Sequence, residues 1–505
     1  MSVQDLAPPV STPQRRNVGF NLTVLGGGQV VTWATSLLWT LVVPRILGPY
    51  GMGLMVTAWA ATGIMTVVFG LGIRNLIVKE IASDRSQAPS LIGAALLLRL
   101  GLIVPGLVAM AFYMRLGHFD SRETAVLYLF TGGTIAAVLA EPLQAGFQAL
   151  ERMEFLALGD VLNKVVQTLG SIAILMLGFG VVALSAWFLV VMVALLLLNL
   201  VWIRPHFTVD LRAGLKRVRS LLMESMPYWA FGLFYMVYLW IDSLMLSVMT
   251  PPEVVGWYGV PTKVFSTVLF IPVILSTAWL PRLVAAFNQS PQNLRATARP
   301  LVELVVVLSL PVGVGTALVA RPLVLTLYGS TFAEAVPVLV ILGICAIPMY
   351  LSIILSQVAV AMNRQAMWSW LMGGATVLNP ALNLFLIPYC QARLHNGAIG
   401  AALSLILTEI PLVVIGLVVV GGLLDVKSLN RLARAGLATL GMAFAAYESS
   451  RWGLVVEVLI GAIAFCGMAI VLRLLSVAES VQLRTLGRRL WQETRVSHLL
   501  PRSRR

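Results

Sequence analysis

Nine ionisable residues sit inside long apolar stretches of this sequence: Arg99, Glu141, Asp160, Lys164, Asp242, Lys263, Glu303, Glu409 and Glu457. At the centre of a membrane helix such a group costs roughly 2.5–3.5 kcal/mol on insertion scales, so it normally faces a cavity or a partner. Arg99 and Lys263 have no acid at helical spacing, which favours a ligand role for both. Lys164 belongs to a stripe with Asp160, Asn163, Gln167 and Ser171, whose spacing of three to four puts them on one helix face. Asp160 and Lys164, four apart, also suit each other as a plain structural pair, and both readings stand. Asp242 shares a second stripe with Tyr228, Tyr235 and Tyr238. The expected substrate-binding set is Arg99, Lys164, Lys263, Asp160, Gln167 and Asp242. Glu141, beside Pro142, and Glu409, deep in its stretch, are the expected ion-coupling sites; each also reads as a carboxylate satisfied by a neighbouring helix.

The elements that must hold these residues are transmembrane helices. The chain has 505 residues, is 59% hydrophobic and only 11% charged, with a mean hydropathy of +0.91. A soluble chain carries about 25% charged residues, so that class is excluded. A helix crosses a bilayer with about 20 apolar residues, and the sequence offers that length at 20–43, 53–73, 90–113, 124–148, 156–178, 181–203, 225–249, 256–281, 300–320, 334–361, 366–387, 396–424, 431–447 and 453–475. The expected fold is all-α and integral to the membrane, with about 14 spans.

Basic residues alternate between loops. Arg15, Arg16, Arg74, Lys79, the cluster Arg204, Arg212, Lys216, Arg217 and Arg219, and the tail fall on one side; Arg45, Arg115, Arg122, Arg321, Arg393 and Arg451 fall on the other. The bias is about fourfold and places both termini in the cytoplasm. The formal charge of +14 serves this orientation, so no nucleic-acid partner is expected.

Loops separated by six spans resemble each other: Leu47–Leu54 and Pro251–Tyr258, Leu116–Phe119 and Tyr328–Phe332, Leu150–Arg152 and Met362–Arg364, Gly180–Ser185 and Gly400–Ser404. They imply two six-helix lobes in the same orientation, related by a pseudo-two-fold along the membrane normal, a transporter architecture. The expected organisation is a cytoplasmic N-terminal segment 1–19, an N-lobe 20–203, a basic cytoplasmic linker 204–224, a C-lobe 225–424, two further helices in 425–475, and a basic cytoplasmic tail 476–505.

Enzyme signatures are missing. The sequence contains no G-x-x-x-x-G-K-[ST], H-E-x-x-H or G-x-S-x-G, and its three cysteines and four histidines lack metal-ligand spacing. No enzymatic activity, cofactor or metal is expected.

Val43-Pro-Arg-Ile-Leu-Gly-Pro-Tyr-Gly-Met-Gly-Leu54 resembles the segment after the first helix of polysaccharide exporters in the multidrug/oligosaccharidyl-lipid/polysaccharide exporter superfamily. Phe69-Gly-Leu-Gly-Ile73, Lys79-Glu-Ile-Ala82, Pro227-Tyr228, Ile241-Asp242, Gly256-Trp-Tyr258, Lys263, Pro281, Leu327-Tyr-Gly329 and Pro337-Val-Leu339 extend the resemblance over residues 17–420. It implies a flippase for undecaprenyl-diphosphate-linked oligosaccharide or a related step of O-antigen, capsule or exopolysaccharide assembly, working by alternating access in the bacterial inner membrane. The partners implied are the lipid-linked glycan, membrane lipids, and glycosyltransferases and a polymerase of glycan assembly. Arg99, Lys164 and Lys263 then supply cations for the diphosphate. The drug-exporting branch of the superfamily often relies on an acid in the first helix, and residues 20–43 contain none. A cation–drug antiporter, a membrane glycosyltransferase or polymerase, and a non-transporting scaffold are the competing classes.

Overall fold

The computed structural model describes residues 18–423 and 425–474, with side chains from residue 26 onward except at 227, 228, 230, 231 and 427. Most of the expected segment 1–19, the tail 476–505 and the Tyr228 side chain lie outside the described residues. All described elements are helical. They are α1 (Val18–Gly70), α2 (Ile73–Ser83), α3 (Ala88–Leu116), α4 (Ser121–Ala149), α5 (Met153–Met176), α6 (Val181–Ile203), α7 (Leu211–Met249) and α8 (Pro252–Val268). The remainder are α9 (Phe270–Gln289), α10 (Pro291–Leu318), α11 (Ala320–Tyr328), α12 (Val336–Ala361), α13 (Gln365–Leu394), α14 (Gly397–Val420), α15 (Val426–Ser449) and α16 (Leu454–Val471).

Each expected span falls on this helical framework. Among the described residues, 12 segments are long and apolar enough to cross a membrane. One of them, Gly26–Ser83, holds the first two expected spans. Its helix turns at Gly48, whose φ of 70° and ψ of 177° no helix tolerates, and Pro49 follows with no amide N–H to give. The thirteenth expected span is α15, which is too polar to meet that standard and runs longer than its apolar core. Helix starts are fixed by side chains that accept orphan backbone N–H groups. Asp120 and Glu123 form a reciprocal capping box on α4, at 2.7 and 2.8 Å. Asp210 caps α7 through Ala213 N at 2.9 Å, and Asp425 caps α15 through Ser428 N at 2.8 Å.

The chain divides into two compact units, Met1–Gly256 and Trp257–Arg505. The first holds two apolar cores. One gathers Met55, Phe69, Met114, Phe130 and Leu184; the other gathers Ile73, Ile77, Ile92, Phe147 and Leu221. α7 packs along α3 and α1 and so belongs to this unit. Its 39 residues exceed its apolar span, Gly232–Met249, so most of the basic linker 204–224 is a helical extension. In the second unit α10, α12 and α14 pack together, while α15 and α16 pair and lean on α10.

Two of the similar loops meet inside the first unit. A methyl group on Gly53 would sit 1.7 Å from the Pro252 carbonyl oxygen and 3.2 Å from Gly256 N; one on Gly256 would sit 2.2 Å from the Pro49 oxygen and 3.2 Å from Gly53 N. The contact is reciprocal: each Pro-x-x-x-Gly segment lays its glycine against the other's proline carbonyl. Only hydrogen fits at either position.

Candidate functional site

The second expected span ends in a helix break. α1 stops at Gly70, Leu71 and Gly72 take φ of 50° and 65°, and α2 restarts at Ile73. Left-handed Gly72 begins α2 without a side-chain cap, so its first backbone N–H groups present the positive end of the helix. A methyl group on Gly70 would lie 3.9 Å from Glu141 Oε2, which puts this carboxylate of α4 beside the break. Arg74, in the first turn of α2, donates from Nη2 to Gln148 Oε1 of α4 at 3.3 Å.

Arg99 of α3 is 1% exposed, and proline explains where its guanidinium goes. Pro142 lies inside α4 and cannot donate to the carbonyl four residues back, that of Val138. Arg99 Nη1 donates to that carbonyl in its place. Nη2 pairs with Glu141 Oε2 at 2.6 Å, and Nε is buried without a partner. One side chain thus fills the vacated carbonyl and neutralises the carboxylate beside it. Glu141 remains 26% exposed at its side chain, so the pair has one deep member and one accessible member.

α5 completes the cluster. Asp160 and Lys164 are exposed, and Asp160 is within electrostatic reach of both Arg74 and Lys164. Arg74 also lies within reach of Arg99. Further along the same helix, Asn163 Oδ1, Gln167 Oε1 and Ser171 Oγ are buried with no hydrogen-bond partner. The first unit therefore assembles three cations, two carboxylates and the amide of Gln148 near a helix break, on α2, α3, α4 and α5. Such discontinuous helices are where transporters hold charged substrate groups.

The other expected residues lie elsewhere. Asp242 is buried on α7, and Lys263 is exposed on α8. Glu409 of α14 is 2% exposed and accepts from Ser352 Oγ of α12 at 2.6 Å. Glu303 of α10 pairs with Arg431 of α15 at 2.8 Å and accepts from Ser428 Oγ at 2.5 Å, so it ties these two helices together. Glu457 is buried on α16 with Oε2 unpartnered. Sequence reasoning passed over Arg74 as a loop charge that sets orientation, and did not single out Gln148. It also missed the Arg99–Glu141 pair, whose members are 42 residues apart; the available signal was Pro142, which announces an orphan carbonyl at 138.

A membrane chain whose described elements are all helical, with charges gathered where a span ends, is built as a transporter. The profile of the polysaccharide biosynthesis protein family matches residues 18–287, more than half of the chain, and the chain belongs to that family. It is 24% identical to the probable low-salt glycan biosynthesis flippase Agl15 of Haloferax volcanii, over 71% of this chain and 74% of the relative. It is 23% identical to the probable flippase AglR of the same organism, over 72% and 73%. Its fold is that of the lipid II flippase MurJ in an inward closed conformation, with a TM-score of 0.69 and 14% identity over 90% of this chain and 99% of that one. An inward-facing multidrug resistance transporter of the MATE family in the MOP superfamily gives a TM-score of 0.65 and 16% identity, over 80% and 98%.

Proposed function

We propose that this chain flips a lipid-linked oligosaccharide or polysaccharide precursor, of the undecaprenyl-diphosphate type, across a bacterial cytoplasmic membrane by alternating access. The observation that carries the reading is the cation-rich cluster at the helix break that ends the second span, in a chain whose relatives include a probable glycan biosynthesis flippase and a probable flippase. Arg74 and Lys164 approach the diphosphate, and the uncapped start of α2 adds its N–H groups. Asp242 of the first unit and Lys263 of the second are further cargo-binding residues, each within its own unit. Gln167 and Asp160 take sugar hydroxyls. Arg99 acts mainly by holding α4 and Glu141 in place, with its free Nε as its remaining donor. Glu141 and Glu409 are the carboxylates placed to bind a coupling proton or cation.

The Lys/Arg asymmetry supports cytoplasmic termini and a cytoplasmic linker at 204–224. The repeated loops support two lobes, 20–203 and 225–424, and the glycan-assembly glycosyltransferases and polymerase are the natural partners for handing over cargo. The chain performs no chemistry on it.

The test is flipping of a fluorescent lipid-diphosphate oligosaccharide in proteoliposomes. Lys164→Ala and Arg74→Ala, at equal reconstitution, are expected to slow flipping at least tenfold, with the neutral-headgroup lipid unmoved by any variant. Wild-type rates in both variants, or efflux of cationic dyes in place of lipid flipping, overturn the assignment.

A further inference from the structure

The first turns of α7 carry a surface that neither water nor lipid chains suit. Its inner face is fixed on α3: a methyl on Gly214 would sit 2.5 Å from Ala94 N, and one on Gly93 would sit 2.3 Å from the Asp210 oxygen. Arg217 donates to Gln87 Oε1 at 2.6 Å on this side, and Asp210 N donates to Pro89 O at 3.1 Å. This part of the helix is therefore a rigid shelf attached to the start of α3.

The outer face differs. Arg212, Lys216, Arg219 and Met223 recur at helical spacing, with Leu215 and Met226 beside them. The three cations are exposed and form no ion pair among the described residues. Leu215 is 67% and Met223 66% exposed. Three unpaired cations cannot lie in hydrocarbon, and large apolar side chains gain nothing in water. The face matches only the boundary zone, where Leu and Met dip among acyl chains while Lys and Arg reach phosphate. Its position agrees: it precedes the apolar span Gly232–Met249 on the same helix.

We infer that the outer face of α7, through Arg212, Lys216 and Arg219, binds anionic phospholipid headgroups of the leaflet that the 204–224 linker faces. The ligand is bulk lipid rather than cargo, so this holds whichever substrate the chain carries. A basic residue near an anionic surface contributes about 1 kcal/mol, which corresponds to roughly fivefold in lipid preference per residue.

The full chain in phosphatidylcholine nanodiscs, with rising phosphatidylglycerol, tests this by electron paramagnetic resonance of spin-labelled lipids. The wild type is expected to retain phosphatidylglycerol over phosphatidylcholine, and added salt is expected to weaken the preference. Arg212→Gln, Lys216→Gln and Arg219→Gln should each reduce it roughly fivefold, while Arg212→Lys with Arg219→Lys should keep it. Arg321→Gln with Arg393→Gln serves as the control for net charge. An unchanged preference in the triple Gln variant overturns the inference, as does an equal loss in the control pair. So does a triple variant that loses a co-purifying protein but keeps its phosphatidylglycerol.

Discussion

Each unit contains a carbonyl that a proline has left without its helical donor, and the two are filled differently. In the first unit, Arg99 serves Val138, four residues before Pro142. In the second, the hydroxyl of fully buried Tyr350 donates to Val268, four residues before Pro272, at 2.7 Å. A phenol is neutral and needs nothing further. A guanidinium brings a charge that must be answered, and Glu141 answers it while staying partly exposed. The second brace is self-contained; the first stands only with the Arg99–Glu141 ion pair beside it. The same vacated carbonyl is thus met by a neutral group in one unit and by a charged pair in the other.

The sharpest way to break this comparison is Arg99→Ala. It strands the partly exposed Glu141 carboxylate and the Val138 carbonyl together, and is expected to destabilise the protein by about 3 kcal/mol. Thermal unfolding in detergent checks this, and a loss below 1 kcal/mol would remove the brace from the account. Arg99→Lys keeps the charge but not the fork, so it should fall between. Adding Pro142→Ala to Arg99→Ala restores an N–H for Val138 and should recover about 1–2 kcal/mol, whereas Pro142→Ala alone should recover nothing. Strict additivity in that cycle would mean Arg99 and Pro142 are unrelated.

Tyr350→Phe leaves one buried acceptor unmet and is expected to cost about 1–3 kcal/mol. Thermal unfolding in detergent checks this, and a loss as large as that of Arg99→Ala would erase the distinction between the two braces. The smallest effect belongs to Asp84, which lies outside either brace. Its carboxyl is held below the usual range by hydrogen bonds from Ser86 and Gln87. Since the folded value is depressed, its contribution is present at neutral pH and is lost as pH falls through that folded value. Asp84→Ala should therefore matter slightly at pH 7 and not at all in strong acid, as read by hydrogen exchange at the start of α3.

Much of the fold was legible because hydropathy and length report directly on bilayer crossing. All spans from 20–43 to 453–475 fall on helices, and the weakest, 431–447, is α15. What hydropathy could not register is helix that continues beyond the apolar zone. α7 starts at Leu211 and α10 at Pro291, well before their apolar spans, because Asp210 and Ser290 cap polar turns. The candidate site was legible in part. Arg99, Glu141, Asp160 and Lys164 stood out as charges within apolar stretches; the structure buries Arg99, leaves Asp160 and Lys164 exposed, and pairs Arg99 with Glu141. Their pairing was not legible, since Arg99 finds its acid on another helix rather than one turn away. Arg74 looked like an orientation charge until the break at Leu71 and Gly72 drew it into the cluster.

The crossing of Gly53 and Gly256 bears on how such a chain changes over generations. Two similar segments are ordinarily free to drift, because each answers to its own surroundings. These two are each other's surroundings. A side chain acquired by one would collide with the backbone of the other, so neither can change alone.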